Sequence, residues 1–168
     1  MIKAIPSAKI YALQMLSFLL CDVTNESCVQ NASESTVSAH GKLDIMVNNA
    51  GIMGITKAPD SLDGDATDFT HVFHVIVVGA FLGTKPAAQV MKPAQLGSII
   101  NKSGICSIIS GTGPHGYTCL KHAVLGLTRN TALDLGQYGI WVNCVSPYTV
   151  PTSMSRALSG IFGFCRGR

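Results

Sequence analysis

Short apolar runs alternate with longer amphipathic segments along the chain, and this alternation limits the possible folds more than any other feature. It is typical of a parallel sheet whose strands are joined by helical crossovers. Four runs are predicted to be strands: Leu16 to Cys21, Leu43 to Val47, Ser98 to Asn101 and Ile140 to Val145. Three intervening segments are predicted to be helices: about Asn25 to His40, Thr67 to Met91, and Pro114 or Tyr117 to Leu135. The sequence therefore predicts an α/β fold.

The two long predicted helices carry their own boundary signals. Pro86 should kink the first one and Pro93 should end it, because proline cannot donate a helical hydrogen bond. Gly136 should end the second. The positions expected to face the core follow helical spacing, namely Val72, Val75, Ile76 and Gly79 in the first helix and Leu120, Val124 and Leu127 in the second.

Composition excludes several other classes. The 168 residues are 47% apolar and 12% charged, with a mean hydropathy of +0.34, which suits one domain with a real core and not a disordered chain. The sequence has no uninterrupted apolar run of about eighteen residues, which argues against a membrane-spanning helix. The net charge of +3 comes from scattered residues, so neither a nucleic acid nor a membrane surface is an expected partner. The expected partner is a small molecule.

The six cysteines lie far apart in the sequence and include no CxxC pair. Free thiols in a reducing compartment are the favoured interpretation, and a cytoplasmic location follows from it. Secretion is the alternative, because Lys3 and Lys9 precede an apolar stretch from Ile10 to Cys21. Gln14 and Ser17 interrupt that stretch, and no small-x-small cleavage site follows it.

Tyr117 and Lys121 are four residues apart on a predicted helix, so both side chains leave the same face. A nearby lysine favours a phenolate, which would let the tyrosine give or take a proton in a carbonyl reduction or alcohol oxidation. The alternative is a surface lysine beside a half-buried tyrosine.

A second, more specific motif is Asn48-Asn49-Ala50-Gly51, which directly follows a predicted strand. Ligands bind to parallel sheets at the carboxyl ends of the strands, where small residues let the backbone approach a cofactor. A simple Asn-Gly type of turn is the structural alternative.

Together with five further blocks, these motifs resemble the short-chain dehydrogenase/reductase family. Within it, the sequence is similar to the plant alcohol dehydrogenases that include secoisolariciresinol, xanthoxin and isopiperitenol dehydrogenases. The resemblance covers about Ser17 to Met154. The other blocks, in the order of the family, are Cys21 to Thr24, Gly41 to Asp44, Gly79 to Lys85, Lys121 to Thr128 and Val142 to Tyr148, while Gly113 to Gly116 extends the tyrosine motif.

The resemblance implies a site and a reaction. Tyr117 would be the catalytic acid/base, and Lys121 would lower its pKa and hold the nicotinamide ribose. Residues expected to contact NAD or NADP are Asp22 and Val23 at the adenine, Asn49, Ala50 and Gly51 at the adenosine ribose, and Pro147, Val150 and Thr152 at the nicotinamide amide. Hydride would pass directly between the nicotinamide and the carbinol carbon of a secondary alcohol or ketone, without a metal.

The sequence also departs from the family pattern. Gly104 and Ile76 align with the catalytic serine and with the helix asparagine of the proton relay, and Pro86 occupies a helix position where histidine is usual. Ser103 is the candidate replacement hydroxyl. Because neighbouring side chains of an extended backbone face opposite ways, it would serve only after a shift in register.

The fold implied by the resemblance is an incomplete Rossmann-like, doubly wound parallel sheet that lacks the first two strands and the last strand of the family. The glycine-rich turn that holds the cofactor pyrophosphate is not in this sequence. The chain is expected to be a single partial domain, with a leader over residues 1–16, a family-like region over 17–154 and a short tail over 155–168.

Three hypotheses remain open at this point. The first is an NAD(P)-dependent alcohol dehydrogenase, either degenerate or represented by part of its chain. The second is a non-catalytic binding or dimerisation module, because in this family the two long helices form the subunit contact. The third is the product of a truncated coding sequence that has no stable fold.

Overall fold

A three-stranded parallel sheet organises the computed structural model, which describes residues 17–54, 65–110, 113–148, 150 and 152. The strands are β1 (Ile45–Asn48), β2 (Gly97–Lys102) and β3 (Ile140–Val145), and they lie in that order. The register pairs Met46 with Ile99 and Ile99 with Val142. The α/β architecture and three of the four predicted strands are therefore confirmed.

The prediction of a strand from Leu16 to Cys21 is wrong over residues 17–21, which are the part that the structure describes. Residues 17–21 have no regular secondary structure, and the side chains of Phe18 and Leu20 are 90% and 93% exposed. A strand is stable only when a neighbour completes its hydrogen bonds. In the described part of the chain β1 pairs only with β2, so the outer edges of β1 and β3 stay open.

Helix α1 (Glu26–His40) has clear signals at both ends. The side-chain oxygen of Asn25 accepts a hydrogen bond from the backbone N–H of Cys28 at 3.1 Å, which caps the first turn. Gly41 ends the helix in the left-handed region at φ 75°, a conformation that suits glycine. The prediction of a helix from about Asn25 to His40 is confirmed.

The next helical segment has three parts: α2 (Ala66–Phe73), a π-helical turn (His74–Val78) and α3 (Gly79–Ala94). The backbone N–H of Gly79 bonds to the carbonyl of His74, five residues back. Pro86 and Pro93 both lie inside α3, which ends where Gln95 takes φ 52°. The irregular turn is thus not at Pro86, where a kink was predicted, and Pro93 does not end the helix.

This segment, Ala66–Ala94, is the one helix among the described residues that is long and apolar enough to cross a membrane. Length and composition alone are weak evidence, because the core helix of a globular domain meets the same criteria. Here Val72, Ile76, Ala87 and Met91 are buried against the sheet and the next helix.

Helix α4 (His115–Gly136) follows a short 3₁₀ turn (Ile105–Ser107). Helices α3 and α4 pack on one face of the sheet, where Met91 and Leu135 join Ile99 and Val142 in a core cluster. On the opposite face no described residue covers the sheet, and Trp141 is 72% exposed. The side chains of each strand therefore alternate between a buried and an open face.

The side-chain amides of Asn48, which is half-buried, and Asn101 link the sheet to these helices. The amide of Asn48 donates to the side-chain oxygen of Asn101 at 2.8 Å, and also to Thr84 and the Ala80 carbonyl. Asn101, which is fully buried, donates to Thr128 at 3.0 Å. Gly83 makes room for Asn48, because a β-carbon at Gly83 would collide with the Asn48 side chain.

We expect Asn101→Ala to lower the free energy of unfolding by about 1–3 kcal/mol, because it removes two hydrogen bonds, from Asn48 to Asn101 and from Asn101 to Thr128, at a fully buried position. Urea denaturation followed by far-UV circular dichroism measures this loss. The matched control is Asn130→Ala at an exposed position of α4, which should change stability by no more than about 0.5 kcal/mol. Equal effects of the two substitutions would contradict the structural role of the amide network.

Candidate active site

Tyr117 and Lys121 lie in the first two turns of α4, on one face of the helix as their spacing predicts. The Lys121 Nζ is 5.3 Å from the centroid of the Tyr117 ring. The same Nζ donates a hydrogen bond to the Lys102 carbonyl at the end of β2, at 3.0 Å. The ammonium group therefore spans the gap between α4 and the carboxyl end of the sheet.

Burial sets the proton affinity of Lys121. The residue is only 4% exposed, and this burial lowers its pKa to about 8, although the nearby sulfur of Cys106 partly opposes the shift. Water cannot solvate the charged form of a buried ammonium, so the neutral form is favoured. Near neutral pH the lysine is therefore close to the point at which it exchanges its proton.

The pKa of Tyr117 shifts in the opposite direction, upward. Its ring packs against the apolar cluster that contains Val72, Ile76 and Leu120, and burial, followed by the charge of Cys106, raises its pKa to about 12. The rise occurs because the loss of hydration destabilises the phenolate. Lys121 is not among the causes of this shift, and the expectation that it lowers the Tyr117 pKa stays a prediction.

Ser103 and Gly104, the two residues that follow β2, differ in the groups that they present near the site. The Ser103 hydroxyl donates to the Lys121 carbonyl at 2.8 Å, and Ser103 is 3% exposed. The Ser103 hydroxyl therefore attaches the end of β2 to α4, and its predicted catalytic role stays a prediction. Gly104 has extended backbone, and a β-carbon there would meet, among the described residues, only the Cys106 sulfur at 4.0 Å. A serine at position 104 would fit without strain.

Cys106 is a site residue that the sequence reasoning did not single out. The side chain is buried, and it is a secondary cause that raises the pKa of both Tyr117 and Lys121. Its sulfur would lie 3.4 Å from a β-carbon at Gly113. The sequence could have indicated Cys106 by its position, because it lies two residues after Gly104 in the loop that joins the third predicted strand to the helix of Tyr117.

Ile76 occupies the middle of the π-helical turn and is 2% exposed. It packs in the cluster that also contacts the Tyr117 ring. An isoleucine neither donates nor accepts a hydrogen bond. In this chain the position expected to carry a proton relay therefore contributes only apolar packing.

A cavity of about 430 Å³ lies between α1, β1 and the π-helical turn, within the size range of small-molecule pockets. Three predicted cofactor residues line it: Val23, Asn49 and Ala50. Gly51 lies beside it, since a β-carbon there would be 3.9 Å from Ile76. The structure thus brings the Asn-Asn-Ala-Gly motif and the segment before α1 to one opening.

Asp22 is exposed and accepts hydrogen bonds from the backbone N–H and the hydroxyl of Thr24, at 2.9 and 2.8 Å. The backbone hydrogen bond from Thr24 lowers its pKa first, and the hydroxyl adds to this effect. The carboxylate is therefore ionised and held at the start of the segment that leads into α1. Its neighbours Cys21 and Val23 line the cavity, whereas Asp22 is not among the lining residues.

The predicted nicotinamide segment is described at three of its positions. The Pro147 carbonyl accepts a hydrogen bond from the Ile105 backbone N–H at 3.0 Å, which holds the chain after β3 beside the Gly104 loop. Val150 is partly exposed, and both Val150 and Thr152 make interactions of their own. Among the described residues, no cluster of three or more His, Cys, Asp or Glu side chains could hold a metal ion.

Comparison with known proteins identifies the family. A family model described as "Enoyl-(Acyl carrier protein) reductase" matches residues 6–165, nearly the whole chain. The chain belongs to the short-chain dehydrogenase/reductase family. The match extends beyond the 17–154 range over which the sequence motifs are distributed.

Two plant enzymes are among the curated relatives of this short-chain dehydrogenase/reductase chain. It is 50% identical to secoisolariciresinol dehydrogenase of Forsythia intermedia, over 86% of this chain and 52% of the relative. It is 46% identical to xanthoxin dehydrogenase of Arabidopsis thaliana, over 83% of this chain and 49% of the relative. The chain thus spans about half the length of the curated relatives that it matches.

Solved structures of the family show a matching fold. ElxO with NADP bound superimposes with a TM-score of 0.80 at 30% identity, over 88% of this chain and 58% of that one. NAD⁺-bound xylitol dehydrogenase also gives a TM-score of 0.80, at 32% identity, over 89% of this chain and 57% of that one. The chain is a partial form of the Rossmann-like fold of these proteins.

The buried lysine predicts how stability changes with pH. Because burial lowers the pKa of Lys121 to about 8, the folded chain releases this proton near pH 8, whereas the unfolded chain holds it to about pH 10.4. The unfolded state binds more protons between these values, so the contribution of Lys121 to the free energy of unfolding rises with pH there. Lys121→Met should remove a rise on the order of 2–3 kcal/mol.

Urea unfolding at a series of pH values from 7.5 to 10 measures this difference. The matched control is Lys42→Met, since the Lys42 side chain is exposed in an ion pair with Asp44. This control should keep the pH profile of the unchanged chain. If Lys121→Met and the unchanged chain give parallel profiles, the lysine is hydrated and the buried geometry is incorrect.

Proposed function

We propose that this chain carries the catalytic half of an NAD- or NADP-dependent oxidoreductase that interconverts a secondary alcohol and a ketone. The arrangement of Tyr117 and Lys121 on α4, with Lys121 hydrogen-bonded to the end of β2, is the observation that carries the proposal. The family membership and the alcohol dehydrogenases among the relatives support it.

The described residues fit one part of the cofactor. Small and polar residues of the Asn-Asn-Ala-Gly motif border the 430 Å³ cavity together with Val23, as the adenosine end requires. Lys121 and the Pro147 segment lie at the carboxyl ends of β2 and β3, where the nicotinamide end would bind. Within the described residues, no segment matches the TGxxxGxG-like turn that holds the pyrophosphate in this family.

The bound nicotinamide would supply or accept the hydride, and the residues of the chain would handle the proton. The Tyr117 hydroxyl would donate to the ketone oxygen during reduction and accept the alcohol proton during oxidation. A buried lysine with a pKa of about 8 can exchange a proton near neutral pH. Lys121 would also place positive charge beside the oxygen that becomes negative.

Two residues that depart from the family pattern, Gly104 and Ile76, limit the catalytic rate expected of this site. At Gly104 the expected hydroxyl donor to the developing oxyanion is missing, and loss of one such donor typically costs about a hundred- to a thousandfold in rate. At Ile76 the apolar side chain interrupts the proton relay and keeps water away from Tyr117. The site therefore retains the proton-transfer pair without the groups that would support it.

We expect the 168-residue chain to bind NADH and NADPH weakly and to oxidise cyclic secondary alcohols slowly, because it lacks a pyrophosphate-binding turn. Calorimetric titration measures the binding, and NADH or NADPH absorbance measures the turnover. Gly104→Ser combined with Ile76→Asn should leave this chain nearly inactive. In a longer chain that adds the glycine-rich front strands and a C-terminal substrate segment, the same two changes should restore activity.

Matched control substitutions distinguish an effect on catalysis from an effect on folding. Tyr117→Phe should abolish the activity of the longer chain, whereas Tyr138→Phe, next to Lys92 and remote from the site, should not. Gly126→Ser, at a helix position with open space, controls for Gly104→Ser. Tight cofactor binding and Tyr117-dependent turnover by the 168-residue chain alone would show that the front strands contribute less than proposed.

The second candidate function is a non-catalytic module that self-associates through the two long helices. Exposed apolar side chains on these helices favour it, namely Phe69, Phe73, Phe81 and Leu133. Val124, which helical spacing places toward the core, is 1% exposed and packs in the internal cluster, so it is not part of this interface. The interface would therefore use the outer helix surfaces. We also propose a cytoplasmic location, which the unpaired state of the five described cysteines supports.

Phe81→Glu should shift a self-associated population of this chain toward monomer, because it places a charge on the apolar outer surface of α3. Multi-angle light scattering at several protein concentrations measures the change. Leu96→Glu is the matched control, since Leu96 is 66% exposed in the turn after α3. A monomeric unchanged chain at every concentration would rule out this interface.

A further inference from the structure

Lys121 is a buried primary amine that no described carboxylate neutralises. The residue is 4% exposed. In the part of the chain that the structure describes, ion pairs join Lys42 to Asp44 and Lys85 to Glu26, and Lys121 takes part in none. Buried lysines are normally paired with an acidic group, because an ammonium charge is costly to remove from water. The lack of such a partner favours the neutral amine.

The lone pair of this neutral amine is not used by the fold. Among the described residues, the Lys121 side chain makes one hydrogen bond, in which Nζ donates to the Lys102 carbonyl at 3.0 Å. A neutral amine has two N–H groups, so one of them keeps this bond. The lone pair on the same nitrogen is then free to attack an electrophilic carbon.

The groups around Lys121 keep the amine reactive near neutral pH. Burial lowers its pKa to about 8, and among the smaller effects Cys106 and Cys144 raise this pKa while the Lys102 ammonium lowers it. Lysines that form imines are activated in the same way, by desolvation or by a second cationic group. At pH 8 about half of such an amine is neutral, against less than about 1% of an exposed lysine with a pKa near 10.4.

A space beside Gly104 can hold the electrophile. The Ser103 hydroxyl donates to the Lys121 carbonyl, and the Lys121 Nζ donates to the Lys102 carbonyl. These two bonds keep Lys121 beside the chain that leads directly into Gly104. A β-carbon at Gly104 would meet, among the described residues, only the Cys106 sulfur at 4.0 Å. An aldehyde suits this space better than a ketone, because its carbonyl carbon carries one substituent fewer.

We propose that Lys121 forms an imine with a small aldehyde in the space beside Gly104. The Nζ lone pair attacks the carbonyl carbon and a C–N bond forms. The C–O bond then breaks, and the two amine protons leave with the oxygen as one molecule of water. The carbon is neither oxidised nor reduced, so this reaction needs no nicotinamide. It shares Lys121 with the proposed oxidoreductase site but can be tested separately from hydride transfer.

Reductive trapping tests this reaction in the 168-residue chain without any nicotinamide cofactor. Propionaldehyde and sodium cyanoborohydride convert an imine into a stable propylamine, which peptide mass spectrometry locates. At pH 8, Lys121 should be propylated at least tenfold faster than Lys42, whose side chain is 70% exposed. Lys42 is the matched control within the same molecule. The α-amino group has an ordinary pKa near 8 and gives the rate of an amine of similar pKa.

The pH dependence and two variants test the geometry. Propylation of Lys121 should level off above about pH 8, whereas propylation of Lys42 should still rise toward pH 10. Gly104→Val should slow the reaction at Lys121 severalfold, because its side chain fills the space, and should leave Lys42 unchanged. Tyr117→Phe should leave Lys121 trappable, although it should abolish the oxidoreductase activity of the longer chain. Far-UV circular dichroism verifies that both variants are folded.

Three results would overturn the proposal. The first is equal propylation of Lys121 and Lys42 at pH 8. The second is propylation of Lys121 only in urea, since the aldehyde would then not reach the amine of the folded chain. The third is an unchanged rate at Lys121 in Gly104→Val. A longer chain that oxidises alcohols without imine trapping would contradict the imine alone, whereas trapping without alcohol oxidation would contradict only the proposed function.

Discussion

The hydrogen bond between the half-buried side chain of Asn48 and the fully buried side chain of Asn101 holds together the parts of this structure that form the site. Asn48 lies at the end of β1, and Asn101 lies near the end of β2. Their further bonds reach Thr84 in α3 and Thr128 in α4. Buried amides are costly to leave unpaired, so this network fixes the relative positions of both strands and both helices. The loops that carry Asn49 to Gly51 and Ser103 to Gly104 begin where these strands end.

The same packing removes water from the pair that would transfer the proton. Burial lowers the pKa of Lys121 and raises the pKa of Tyr117, so both shifts favour the neutral forms. Ile76 contributes to this environment because it packs in the cluster around the Tyr117 ring. A bound cofactor and substrate would add polar groups to the cavity and change this balance. The low polarity of the site thus follows from particular side chains and not from the fold class.

About half the length of the related proteins is present, and this determines which surfaces remain open. The outer edges of β1 and β3 have no partner strand in the described residues. No second layer of described residues covers the sheet, and Ile45, Val47 and Trp141 are exposed. Open strand edges and apolar faces favour association or aggregation. Even so, the half that is present keeps a well-formed core between the sheet and helices α3 and α4.

Local pattern in the sequence determined the α/β class, three strands, the helix boundaries at Asn25 and Gly41, and the shared face of Tyr117 and Lys121. These features depend on residue spacing and on caps within a few residues. The segment from Leu16 to Cys21 has the apolar composition of a strand, but residues 17–21 form none, because a strand also needs a neighbouring strand to complete its hydrogen bonds. Only tertiary structure decided the pKa shifts of Tyr117 and Lys121, the bond from Ser103 to the Lys121 carbonyl, and the place of Cys106 beside them. Each of these depends on groups distant in sequence that become neighbours, and lose their water, only when the sheet and α4 pack together.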